Sequence, residues 1–207
     1  MGIIAKASRI RAGEQHVRRK VWFVGRSSSD AIEYARVVRE ESRMHFDQPV
    51  SRDIGYAQRV AGIERTSALL APFRAPHHSV GSMSMTGKLQ GHEWQPGELA
   101  LAHGGVLVLA DATEFGLGPL GMVESAWRLG CLRLSSSVPQ ELAREGDEGE
   151  RNALVVPTWF SLVVHTQPCP CGSRGQADAP CLCSERDIEK YHAKVRSLVE
   201  GAEVVRS

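Results

Sequence analysis

The chain has 207 residues, 42% of them hydrophobic and 24% charged, and a formal net charge of +1. That length supports one well-buried domain with at most a small appendage, and a charge so near zero supplies no global field to draw in nucleic acid or a membrane surface. No apolar run approaches the roughly 20 residues that span a bilayer and the Met1 region lacks a signal-peptide pattern, so we expect a cytoplasmic protein whose five cysteines are thiols or metal ligands rather than disulfides.

Residues 1–20 are basic and weakly patterned (Arg9, Arg11, Arg18, Arg19, Lys20) and read as an N-terminal arm with a solvated face. Val21-Trp22-Phe23-Val24 is a short apolar run ending at Gly25, as in a buried strand. Asp30 then stands where it would cap a helix running to about Glu41, with Ala31, Ala35 and Val38 at helical spacing. A weaker helical stretch lies around Gln58 to Ile63, and residues 71–97, rich in Pro, Gly, Ser and Met, read as an irregular excursion or hairpin. Gly105 to Leu109 is a second buried strand, the stretch after Pro119 is helical, and Cys131 to Leu134 is a short strand in which Cys131 reads as a small core residue. The polar, acidic stretch 139–153 (Glu145, Asp147, Glu148, Glu150) reads as a solvated loop. Phe160 to Val164 is a third buried strand, and Glu185 to Glu200 a closing helix. Buried strands alternating with helices predict an α/β fold, a mostly parallel sheet covered on both faces.

Four strings stand out against this background: Arg74-Ala75-Pro76-His77-His78-Ser79, Pro96-Gly97-Glu98, Ala102-His103-Gly104-Gly105 running into Val106-Leu107-Val108-Leu109, and Val163 to Gly172 with its Pro168-Cys169-Pro170-Cys171 core. In this order and at this separation they resemble the ATPase subunit of magnesium chelatase, and within it the bacterial branch of competence-related helicase-like proteins. The resemblance runs from about Val21 to Val195. It implies an AAA+ core of the P-loop NTPase type over residues 21–207, and with the sequence ending there, a core without the helical lid that closes over the nucleotide in the family.

What the resemblance implies for the nucleotide site is damage. A phosphate loop turns successive backbone N–H groups toward the phosphates at a helix N-terminus, with glycines in left-handed conformations, a lysine on the outer phosphates and a hydroxyl on Mg²⁺. The family's Gly-Pro-Pro-Gly-Ser-Gly-Lys-Thr falls on Gly25, Arg26, Ser27, Ser28, Ser29, Asp30, Ala31 and Ile32. Forcing a Cβ into the left-handed region costs about 1–2 kcal/mol per residue, and each lost charge-assisted hydrogen bond about 1.5–3 kcal/mol. Ser28 and Asp30 should therefore flatten the cradle; Arg26 would restore part of the lost charge. The family's Walker B ending Leu-Asp-Glu becomes Leu109-Ala110-Asp111: the metal-side carboxylate is lost, and Asp111 stands vestigially at the position of the acid that activates water. Its bland reading is a strand-end Asp capping the following turn. The sensor asparagine is Gln167, and the Asp-Arg-Ile-Asp element near the end of the core is replaced by Gly201-Ala202-Glu203-Val204. ATP and Mg²⁺ are accordingly doubtful ligands.

Cys169-x-Cys171 and Cys181-x-Cys183, nine residues apart, supply four thiolates, enough for a closed tetrahedral structural zinc site; free thiols and a redox role are the alternatives. His77 and His78 should diverge as neighbours on an extended chain and serve packing and hydrogen bonding, as should His103. Trp22 and Trp94 are too scattered for a base-stacking platform. The reading that follows is a pseudo-ATPase serving as scaffold or regulatory partner of another protein, an active AAA+ relative among the candidates, with no membrane role and no charge signal for DNA. The rival is an ATPase with a weak or rearranged site acting on DNA or in metal chelation, and a decaying gene product without selected function also stays open.

Overall fold

The computed structural model describes residues 18–41, 71–90, 93–135, 153–177 and 179–207. The helical stretch expected around Gln58 to Ile63, the acidic stretch 139–152, Arg9, Arg11 and the Trp94 side chain lie outside the described residues.

Five strands form one sheet: β1 (Lys20–Val24), β2 (Phe73–Arg74), β5 (Val106–Leu109), β8 (Ser161–Thr166) and β9 (Glu203–Arg206), in the order β2-β5-β8-β1-β9. Every pairing is parallel, with Val21 opposite Val163 on one side and opposite Glu203 on the other. The continuous apolar runs Val106–Leu109 and Ser161–Thr166 are buried along their whole length, as strands covered on both faces must be.

One face is covered by α1 (Ser28–Glu41), whose Ala31, Ala35 and Val38 pack on Val21, Phe23, Val106, Val108 and Val163. The opposite face receives α4 (Leu117–Leu129) through Leu120, Val123 and Ala126, which meet Leu107, Leu109, Leu162 and Val164. Each buried Val or Leu side chain contributes about 1.5–3 kcal/mol relative to exposure, so the alternation of inward residues along the strands fixes which helix lies on which face.

Around this core sit smaller elements. Helix α2 (Ser82–Thr86) leads into the antiparallel hairpin β3 (Gly87–Gln90) and β4 (Glu93–Pro96), followed by α3 (Glu98–Leu101). The hairpin expected in 71–97 is thus present, and its base is closed by backbone: a Cβ on Gly97 would fall 2.2 Å from the Gly87 nitrogen. Arg74 grips Glu98 with two hydrogen bonds of 2.6 and 2.7 Å, which ties β2 to the start of α3 and accounts for two of the strings singled out in the sequence. Strands β6 (Cys131–Ser135) and β7 (Ala153–Pro157) form a separate antiparallel ribbon. Cys131 is only partly covered there, so it is not the core residue its apolar neighbours suggested.

Other expectations are corrected by packing. The closing helix is broken into α5 (Glu185–Ala193) and α6 (Arg196–Val199). Residues Gly201 to Val204, which replace a family element in sequence, lead into a strand that pairs with β1. Arg18, Arg19 and Lys20 are not a solvated face: the Arg18 guanidinium lies 4.5 and 3.8 Å from the Trp127 and Trp159 ring centres, and Lys20 lies over Trp127. Arg19 pairs with Glu41 and Glu203 at 2.5 and 2.8 Å, and β1 already begins at Lys20. Cation–π attraction and paired charges draw these side chains onto the domain. Among the described residues, no helix is long and apolar enough to cross a membrane.

Candidate functional site

In an open parallel sheet, ligands bind beyond the carboxyl ends of the strands where neighbouring connections leave in opposite directions. Here that point lies between β1 and β8: β1 is followed by α1 and leads toward the β2 edge, whereas β8 leads through α5 and α6 to β9 on the other edge. The residues that gather there are Gly25 after β1, Thr166 and Gln167 at the end of β8, and Ala110 and Asp111 after β5. The strand order thus brings together the three positions that the sequence assigned to phosphate loop, sensor and Walker B.

Residues 25–30 show none of the left-handed conformations that the glycines of a phosphate loop adopt. Helix α1 starts at Ser28, so only Gly25, Arg26 and Ser27 separate it from β1. Asp30 falls inside the first turn of the helix rather than at its cap. Ala31, at the lysine position, is fully buried against the sheet. Gly25 is held on three sides: its N–H donates to the Thr166 carbonyl at 3.1 Å, its carbonyl meets His165 Nε2 at 3.0 Å, and a Cβ there would lie 2.2 Å from Ser207 Oγ.

Asp111 is the only non-glycine with positive φ among the described residues (φ 53°, ψ 53°). It precedes a single 3-10 turn, Ala112–Glu114, without a side-chain capping bond, so the capping role read from the sequence does not hold. Its N–H instead donates to His165 Nδ1 at 3.0 Å, and its Oδ1 stands 3.3 Å from the same nitrogen. His165, fully buried, had no distinguishing mark in the sequence; a histidine inside an otherwise apolar strand was the available signal. Gln167 contributes its carbonyl to His192 Nε2 at 2.9 Å, and Trp22 Nε1 donates to Thr166 Oγ1 at 2.9 Å.

The four cysteines do converge. Cys169, Cys171, Cys181 and Cys183 place all their sulfurs within 4.8 Å of one another, with Cys169–Cys171 at 3.4 Å and both Cys171–Cys181 and Cys169–Cys181 at 3.6 Å. A tetrahedron with Zn–S bonds of about 2.3 Å has edges near 3.8 Å, so the cluster is close to the dimensions a zinc ion requires. The Arg174 N–H points at Cys169 Sγ (3.4 Å), the outer contact that steadies a thiolate. Hydrogen bonds from the Ser173 backbone and from neighbouring thiols lower Cys171 to about 6. A backbone bond from Cys183 favours the Cys181 thiolate too, but burial and donation of its S–H to Cys169 and Cys171 outweigh it and push Cys181 up to about 12. These residues could hold a metal as four thiolates, with proton release on binding.

The knuckle feeds directly into α5. Ser184, next to Cys183, forms a reciprocal cap with Asp187, whose N–H donates to Ser184 Oγ at 3.2 Å while Ser184 N–H donates to Asp187 Oδ2 at 3.1 Å. The Ser184 hydroxyl, which donates to Asp187 Oδ2 at 2.6 Å, and then the Ser184 N–H hold the Asp187 carboxyl below its ordinary value. From this start α5 reaches back over the carboxyl edge: Thr113 Oγ1 and Tyr191 OH are 2.8 Å apart, Lys194 Nζ donates to the Thr113 carbonyl at 2.5 Å, and the His192 ring stands edge-on to Trp22. Between knuckle and 3-10 turn lies a groove of about 600 Å³, lined by Thr113, Pro170, Leu182, Lys190, Tyr191 and Lys194 among others. Leu182, between two of the cysteines, is 94% exposed.

Of the histidines read from the strings, His103 is buried and accepts the Trp159 N–H at 2.9 Å. His77 and His78 do not diverge: a turn brings their rings to 4.0 Å, and His77 Nδ1 is bonded to Ser79 Oγ.

The fold and the grouping of loops at this edge define an α/β core of the P-loop NTPase type. Residues 52–135 and 146–200 match the family described as magnesium chelatase, subunit ChlI, and the chain belongs to that family, whose members are AAA+ proteins. Strand β1, its loop and α1 lie outside the matched residues, so their place in the site follows from the sheet order. Among relatives, the uncharacterized protein Rv2897c of Mycobacterium tuberculosis is 31% identical over 124 residues, covering 60% of this chain and 22% of that protein. The uncharacterized protein YifB of Escherichia coli is 34% identical over 101 residues, covering 49% of this chain and 17% of that protein. The matched stretch therefore spans about a fifth of the length of these relatives.

Proposed function

We propose that this magnesium-chelatase-type domain does not hydrolyse ATP and serves as a scaffold or regulatory partner that docks onto another protein, an active AAA+ relative being the natural candidate. The observation that carries this reading is Ala31: the position a phosphate-binding lysine would occupy is filled by a methyl group packed into the core under α1. Ala110 in place of the magnesium-side carboxylate and the early start of α1 at Ser28 support it. The exposed Leu182 beside the groove suits contact with a protein partner. The four cysteines, in this reading, hold one structural zinc that fixes how α5 leaves β8.

One observation favours the rival, a weak ATPase acting on DNA or in metal chelation. Asp111 is held in a left-handed conformation at the position of the water-activating acid, and such strain collects at functional sites. Turnover with Mg²⁺-ATP, alone and with DNA, decides between them. The expected result is none above background; turnover that disappears in Asp111→Asn would overturn the pseudo-ATPase reading.

A further inference from the structure

We propose that His165 is an internal latch that holds the nucleotide edge of the sheet shut; this rests on reading that edge as non-hydrolytic. His165 lies on β8, between β5 and β1, and is fully buried beside Phe23 on the α1 face. Its Nδ1 accepts the Asp111 N–H at 3.0 Å. An acceptor nitrogen carries a lone pair, so in the neutral ring the proton resides on Nε2. Nε2–H then donates to the Gly25 carbonyl at 3.0 Å. One imidazole thus stitches together the loops that follow two different strands, the loop in the phosphate-binding place and the loop in the Walker B place.

The consequence is mechanical. A phosphate cradle needs the peptides after β1 free to turn their N–H groups outward. Here the Gly25 carbonyl is tied to His165, its N–H to the Thr166 carbonyl, and its Cα face lies against Ser207. The Asp111 amide, tied to the other ring nitrogen, keeps the residue in its left-handed conformation. Moving either loop strands a buried ring nitrogen, so opening either one carries the cost of an unmet buried polar group. The latch is therefore a positioning device that keeps the edge closed rather than a catalytic group; its ring is out of reach of solvent.

Solution NMR on the full chain tests it. The ¹⁵N shifts of His165 should report the neutral Nε2–H tautomer. In His165→Ala, the Gly25 and Asp111 amides should exchange at least about tenfold faster while Val108 and Val205 keep their wild-type rates. His165→Gln, which retains bulk and polarity, covers the case in which the alanine variant fails to fold, and its Gly25 and Asp111 amides should likewise exchange faster against unchanged controls. An Nδ1–H tautomer, unchanged exchange at the two loops, or an equal rise at the control amides overturns the latch. A second arm uses Mg²⁺-tripolyphosphate on the Ser28→Gly/Asp30→Gly background with and without His165→Ala. Release should tighten binding by at least about tenfold; equal affinities, both measurable or both absent, overturn the closing role. Wild-type ATP turnover would instead sink the non-hydrolytic reading while leaving the tautomer and exchange results standing.

Discussion

Two neighbouring regions, the cysteine knuckle and the nucleotide edge, are built in opposite ways. The knuckle keeps every group its chemistry needs: four sulfurs at metal-binding distances, an N–H aimed at one of them, and a capped helix leaving the last ligand. At the edge, the chain's own side chains fill the space: Ala31 sits in the core, His165 between the loops and Ser207 against Gly25. The contrast follows from how each site is built. A knuckle is local in sequence, and its ligands satisfy one another. A phosphate site is assembled from three strands and held open by charge and glycine, so one without a lysine has less reason to stay open.

The largest expected effect would come from the intact side. Structural zinc binding is worth about 10–16 kcal/mol in small zinc modules and is coupled to local folding. Protein purified without added metal should carry one zinc per chain by elemental analysis, and Cys181→Ser should abolish it and speed hydrogen exchange in α5 ahead of the sheet. A content far below one, unchanged by that substitution, would reduce the knuckle to four thiols and dissolve the contrast.

On the repacked side, Ala31→Lys should not restore a nucleotide site. It would place an ammonium where Val21, Phe23 and Val163 meet, overfilling the core and burying an unpaired charge, at about 3 kcal/mol. Urea denaturation of wild type and variant measures it. Unchanged stability, together with stabilisation by ATP, would mean that the edge still opens to a ligand.

The sequence reveals these regions unequally, for physical reasons. The strands Val21–Val24 and Phe160–Val164 and the helix over Ala31, Ala35 and Val38 were legible because burial on both faces writes itself as apolar runs and helical spacing. The cysteines were legible because ligand spacing is local. The strand Glu203–Arg206 was not: it lies at the sheet edge, exposed for most of its length, and edge positions carry no apolar run. His165 was hidden because its two bonds go to backbone groups brought near only by the pairing of β8 with β5 and β1. The stacking of His77 on His78 depends on a turn that the neighbouring Pro76 and Ser79 do not specify by themselves. The left-handed Asp111 was equally invisible, since nothing in Leu109-Ala110-Asp111-Ala112 asks for positive φ.

The smallest effect concerns the link between the regions. Tyr191 is carried by α5, whose start is set by the knuckle, and its hydroxyl lies 2.8 Å from Thr113 Oγ1 in the turn after β5. Burial, largest among its influences, raises the Tyr191 phenol above its ordinary value, so it stays neutral, and its oxygen accepts the Thr113 hydroxyl. Tyr191→Phe removes one neutral hydrogen bond and leaves the ring in place, a loss of about 0.5–1.5 kcal/mol. The size matters less than its dependence on metal. If the knuckle positions α5 over the edge, the cost appears in metal-loaded protein and vanishes after chelation, because the helix no longer delivers the hydroxyl to Thr113. Denaturation of wild type and variant, each with and without chelator, gives the four stabilities of a double cycle. An equal cost in both states would mean that α5 holds its place without the knuckle, and that the two regions are neighbours with no coupling between them.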